Sequence, residues 1–241
     1  MLQSTLRHRG RQSVVALFLC LGLAGATLAQ TPSKFLAPGF AGLSKADAVL
    51  VMPPDVELFS LSAGGVAEPK ADWTASARAH IKSTLAARKK ALGVRSTDAS
   101  DDLADEFAEQ VGLHAAVASA ISLHHAGPGI WALPTKAGAL NWTFGDAMQP
   151  LAAKSGSRYG LFVWVRDSYA SAERKAAMVM MAIVGIGLTG GFQVGYASLV
   201  DLQTGQVVWF NQLVRGSGDL RDAESAKESI EALLTGFPTA Q

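Results

Sequence analysis

The stretch 159–211 constrains this chain more than any other. Three short runs rich in β-branched and aromatic residues, 161–165, 194–202 and 207–214, fall largely within it, and Gln203-Thr204-Gly205-Gln206 alone separates the second from the third. Apolar runs this short, set apart by a Gly-containing tetrapeptide, predict an antiparallel hairpin with Gly205 at the positive-φ position of a bulged turn. Between the first and second runs, residues 176–188 carry no polar side chain. Glu173, Arg174 and Lys175 stand just before them, so the apolar segment leaves from a charged rim.

The amino terminus has the three parts of a secretory signal. Arg7, Arg9 and Arg11 form a basic region, 14–23 an apolar one, and Thr27-Leu28-Ala29 a small-residue exit. Ten apolar residues fall well short of the roughly twenty a helical span needs, so cleavage after Ala29, with Ala26 as the alternative, and export are expected. Cys20 follows Leu17, Phe18 and Leu19 inside the apolar region, which is the wrong setting for lipid attachment, and the arginines are never paired, as a twin-arginine signal requires. Loss of 1–29 would leave 18 Lys and Arg against 20 Asp and Glu. Without excess positive charge or a basic stripe, nucleic acid is not a partner. The single cysteine leaves with the signal, so no disulfide is available and the fold must rest on its core.

Residues 30–45, with Thr31-Pro32 and Ala37-Pro38-Gly39, read as a flexible leader, and 46–241 as a single mixed α/β domain. The compact apolar run 48–52 is a strand that stops at Pro53-Pro54 or continues past a bend into 56–61. Trp73, Ala77, Ile81 and Leu85 form one stripe of a helix over 72–92, and Leu103, Phe107, Val111, His114, Ala118 and Ile121 one face of a second. A third helix is expected over 141–154, bent at Pro150, and a last one over 222–234, stopped by Gly236 and Pro238. This order predicts an α+β fold: a mixed sheet backed by helices on one face, closing with a C-terminal β-hairpin and a C-terminal helix.

Candidate chemistry is sparse. His114, His124 and His125 are ligand-type residues, but ten residues of helix place the first about 15 Å from the second. Asp101, Asp102, Asp105 and Glu106 cluster at a helix start, where solvated acids are ordinary. Arg88-Lys89-Lys90 likewise suits a helix C-terminus. Asp167, Ser168 and Asp219 read as loop groups able to line a cleft. Gly185-Ile186-Gly187-Leu188-Thr189-Gly190 matches G-x-G-x-x-G, yet a strand-like run follows it where a dinucleotide site needs a helix. G-x-S-x-G, H-E-x-x-H and P-loop patterns are absent. No catalytic residue, cofactor or metal is assigned.

The segment 176–192 has three readings: packed in its own core, against another copy or partner protein, or against lipid. Its methionines suit all three, because methionine fills irregular surfaces. Met178, Met180, Met181, Ile183, Ile186, Leu188 and Phe192 are its candidate contact residues.

The string 197–209, with Asp201, Thr204, Gly205 and Trp209 around the turn, resembles the closing hairpin of exported bacterial α/β proteins of the group around the curli-secretion lipoprotein CsgG and the TolB amino-terminal domain. The strand and helix over 48–92 are similar in arrangement. That resemblance implies a small mixed sheet backed by helices and work in the periplasm or at the outer membrane, in assembly or transport without catalysis. The expected function is therefore a non-enzymatic envelope protein, periplasmic or associated with the outer membrane. Its expected partners are other envelope proteins or itself, with possible peripheral membrane contact. The alternative is an exported hydrolase or small-ligand-binding protein using His114, His124 or loop carboxylates.

Overall fold

A computed structural model describes residues 35–89 and 93–240. The expected signal peptide, Cys20 and the end of the first helix at Leu92 lie outside the described residues. The sheet is built from β1 (Ala48–Val51), β2 (Asp55–Leu61), β3 (Ala67–Pro69), β4 (Arg95–Asp98), β5 (Tyr159–Ala170), β6 (Gln193–Asp201) and β7 (Val207–Arg215). The helices are α1 (Ala71–Lys89), α2 (Asp101–Glu106), α3 (Ala108–Ile121), α4 (Gln149–Ser155), α5 (Ala172–Ile183) and α6 (Ala223–Leu233).

β5 is the central strand. On one edge its start pairs parallel with β1 and its remainder parallel with β2; on the other edge it pairs antiparallel with β6. β1 and β2 are thus one strand interrupted at Pro53-Pro54, the bend that proline's missing N–H imposes. Met52 N still donates to Leu161 O at 3.0 Å across the interruption. β4 lies parallel beside β1 and β3 antiparallel beside β2, while β7 completes the far side against β6. The register slips between Leu199 and Val200, placing Val208 as an extra residue in β7.

Helices cover both faces of this sheet, not one. Ala77, Ile81 and Leu85 of α1 and Ala226, Ile230 and Leu233 of α6 pack with Val163, Val165 and Leu199. On the opposite face Ala118 and Ile121 of α3 and Leu151 of α4 pack with Phe162, Val200 and Phe210. The cause is in the strands: every residue of β5 from Tyr159 to Val163 is buried, as is every residue of β6 from Gly195 to Asp201. A strand apolar on both pleats needs cover on both sides.

The second expected helix is broken at Phe107, which ends α2 and precedes α3; at its start Ser100 caps α2, its Oγ accepting from Leu103 N at 3.1 Å. It ends in a π-helical turn, Ser122–Ala126, ahead of Gly127-Pro128. The third is shorter than expected: Pro150 sits in the first turn of α4, where its lost N–H costs nothing, behind a 3₁₀ turn at Gly145–Met148. The part of the leader that is described is hydrogen-bonded to the sheet. Ala37 N donates to Val208 O and Phe210 N to Phe35 O, so residues 35–37 add to the outer edge of β7, and Leu43 is buried. An otherwise open edge strand supplies the hydrogen bonds that a Pro- and Gly-rich segment cannot make internally.

Leu199, fully buried in the middle of the sheet, is expected to cost about 2–5 kcal/mol when changed to Ala. Leu123→Ala, at a side chain 46% exposed, should stay within about 0.5 kcal/mol. Urea denaturation of the two variants measures both.

Candidate functional site

α5 begins where β5 ends. Ser171 is extended and its Oγ accepts from Arg174 N at 3.2 Å, an N-cap that starts the helix at once. Arg174 is the one buried residue of α5. Its Nε donates to Thr189 O at 2.8 Å, and one terminal nitrogen reaches Ser62 O and Ala63 O at 3.4 and 3.5 Å. One guanidinium therefore ties together the helix start, the return segment and the β2–β3 turn. Beneath it the β5–β6 ladder closes, with Ala170 N donating to Gly190 O and Ser168 N to Phe192 O. Gly191 is required here: its φ is +132°, and a Cβ would lie 1.9 Å from Ser168 O. The helix and its return are consequently an excursion from the tip of the β5–β6 hairpin.

Beyond this base the excursion is solvent-facing. No residue between Arg174 and Gln193 is buried. Met180 is 66% exposed, Ile183 74% and Phe192 58%; Ile186 is exposed too, while Met178, Met181 and Leu188 are half-buried between helix and return. A Cβ on Gly190 would touch Met178 Cε at 3.4 Å, so the absence of a side chain lets the return lie on the helix. The reading in which this segment joins the chain's own core does not hold, because the core is already closed on both faces of the sheet. Val179 and Val184 are as exposed as the expected contact residues and extend the same surface; their apolarity was the available signal.

The polar groups are placed otherwise than expected. Asp167 is not a loop residue but a buried member of β5. It accepts from Ser168 N and from Gln193 Nε2, both at 2.8 Å, and from the Tyr169 hydroxyl. Gln193 Oε1 accepts from Arg215 Nε at 3.0 Å, and Arg215 continues to Glu228 and Ser229 on α6. Tyr169 Oη accepts from Leu220 N at 2.7 Å. Burial pushes the Asp167 carboxyl up; burial and the adjacent carboxylate push Tyr169 up. Asp219 is held below the usual carboxylate range by its hydrogen bonds with Arg221, whose guanidinium lies 4.0 Å from the Tyr169 ring and 4.5 Å from that of Trp73. Asp167, Gln193, Arg215 and Ser229 form a hydrogen-bonded clamp joining three strands to α6.

The histidines do not converge. His114 is buried, with Nε2 2.9 Å from Ser198 Oγ and its ring stacked on Phe162 at 4.9 Å. His124 Nδ1 lies 2.8 Å from Trp131 O. Asp101 pairs with Lys82 and Glu106 with Lys154. Among the described residues no three His, Cys, Asp or Glu are grouped to hold a metal ion. The G-x-G-x-x-G string follows helix α5 and precedes strand β6, the reverse of a dinucleotide-binding turn. A crevice lined by Val51, Leu85, Arg88, Lys89, Leu161 and Phe237 opens near the start of β5. Lys89 is paired with Asp98 there.

No protein-family model matches the chain, and no curated protein sequence matches it. Among solved structures it is similar to a PelC dodecamer from Paraburkholderia phytofirmans, with 16% identity over 86% of this chain and 95% of that one and a TM-score of 0.39. It is similar also to the lipoprotein GNA1162 from Neisseria meningitidis, with 15% identity over 69% and 78% of the two chains and a TM-score of 0.29. The C-terminal domain of LpoB from Salmonella enterica gives 12% identity over 72% and 85%, with a TM-score of 0.29. None of these transfers a residue role to this chain. Among the described residues no helix is long and apolar enough to cross a membrane.

Burial lowers the His114 pKa from 6.5 to about 3. Below its ordinary value the unfolded chain takes up a proton that the folded one refuses. The stability this neutral imidazole allows is therefore fully present above pH 6.5 and is lost as pH falls toward 3, with a slope of up to about 1.4 kcal/mol per pH unit. His114→Phe should be less sensitive than the wild type between neutral and mildly acidic pH, read as the difference between their urea midpoints.

Proposed function

We propose that this protein is a non-enzymatic component of the bacterial cell envelope, exported by its amino-terminal signal, and that it serves assembly or transport through contacts made by α5 and its return. One observation carries the reading: a segment of 17 uncharged residues, 176–192, contains no buried residue. Covering a Val, Ile, Met or Phe side chain is worth about 1.5–3 kcal/mol, so a surface of this kind supports stable association. Met178, Met180, Met181, Ile183, Ile186, Leu188 and Phe192 are the contact residues of the proposal, with Val179 and Val184 added. The proposal takes the chain with the exported α/β proteins around CsgG and the TolB amino-terminal domain on the resemblance of its closing hairpin, 197–209. Its Asp201 carboxylate accepts from Gln203 N and Thr204 N, at 3.0 and 3.2 Å, and Gly205 has φ +70°. These residues hold the turn.

Met180→Asp tests the reading. The variant should keep the wild-type melting transition, because the side chain is already in solvent. After gentle lysis it should also lose the wild type's recovery with the envelope fraction or with cross-linked partners. Recovery unchanged from the wild type would overturn the assignment of α5 as the contact element.

A further inference from the structure

We propose that the crevice between the C-terminal ends of α1 and α6 binds a small apolar monocarboxylate, whose carbon body lies on the apolar floor and whose carboxylate meets Arg88. The sheet sets the floor. Val51 of β1 and Leu161 of β5 are partners in the parallel ladder, and Leu85 of α1 and Leu234 at the end of α6 line the crevice with them. These four keep 3–5% of their surface in solvent, where Val49, Ile81 and Leu199 of the same core keep none.

The chain after α6 closes one side. Gly236, at φ +73°, turns the backbone out of the helix, and Phe237 N donates to Leu234 O at 3.1 Å. The Phe237 ring stands edge-on to Trp209 at 5.1 Å, and Ala240 bridges to Leu43. Phe237 and Thr239, which line the crevice, are therefore carried on backbone pinned at both ends. The enclosed space is about 130 Å³. An apolar cavity of about 150 Å³ takes up benzene, so this one suits a ring or chain of about six carbons.

Charge selects the sign of the ligand. Arg88 and Lys89 line the crevice, and no acidic residue does. Lys89 is taken by Asp98. Arg88 is half-buried and, among the described residues, has neither a hydrogen bond nor an ion pair. A cation in the last turn of a helix is ordinary, but a half-buried one beside apolar walls is costly without a partner. The carbonyls at the end of α6 do not serve it: Ala232 O and Leu233 O accept from the Asn211 amide, and Leu234 O from Phe237 N. A carboxylate does, because its two oxygens match the guanidinium fork. One unpaired cation balances one negative charge, and the apolar lining disfavours a strongly hydrated polyanion.

The experiment uses the full chain with methyl-labelled leucine and valine, wild type and variants prepared alike, and hexanoate and benzoate as probes. Both should give saturable methyl shifts confined to Val51, Leu85, Leu161 and Leu234, with a Kd in the millimolar range or tighter. Hexanol, which keeps the chain and lacks the charge, should bind about tenfold more weakly. Arg88→Gln should keep the wild-type melting transition and weaken hexanoate by about the same factor, and Arg88→Glu should turn the preference toward hexylammonium. Shifts that are absent, fail to saturate or spread over the surface overturn the inference. Hexanol binding as tightly as hexanoate overturns it too, as does hexanoate binding unchanged by Arg88→Gln. Should Arg88→Gln fail to fold, the comparison of hexanoate with hexanol on the wild type decides. Recovery with the envelope fraction does not enter, so the reading of α5 stands or falls separately.

Discussion

The pairing of β5 is what the rest of the structure depends on. It runs for 12 residues, with the interrupted strand β1/β2 along one edge and β6 along the other. Its backbone groups find partners in three strands drawn from both ends of the chain. Its odd-numbered side chains from Tyr159 to Val165 face α1 and α6, and Phe162 and Trp164 face the layer of α3 and α4. Both helical layers are therefore positioned by one strand, and the break at Pro53-Pro54 is tolerated because β5 continues straight past it.

Toward its C-terminal end the same strand changes character. After Val165 the residues facing α6 become Asp167 and Tyr169, which are locked by Gln193, Arg215 and Leu220. Buried polar groups of this sort are costly unless every member is bonded, and here the bonds link β5, β6, β7 and α6. Immediately beyond the clamp, Arg174 fastens the start of α5. An exposed apolar element thus stands on a rigid polar base. Little of the fold's own burial depends on α5, so contacts made there under the proposed function would leave the core unchanged.

The edges follow from hydrogen-bond supply. β4, Arg-Ser-Thr-Asp, has no strand pattern in its side chains and exists because β1 offers it a parallel ladder. β3 and the segment 35–37 are of the same kind, short pieces whose backbone is satisfied only by a neighbour. Local sequence carries no record of such a neighbour, which is why β4 and the pairing of 35–37 went unread.

The elements that bury their own apolar pattern were legible without a structure. These are the α1 stripe through Ala77, Ile81 and Leu85, the β6–β7 hairpin with Gly205, and α6 behind the Asp222 cap. In each the hydrophobic period or the turn residue is local, so the residues themselves determined the outcome. Tertiary structure alone decided that helices cover both faces, that His114 and Asp167 are satisfied interior groups, and that Met180, Ile183 and Phe192 face outward. Composition states what a segment would bury; whether the core has room for it depends on how many other residues reached that core first.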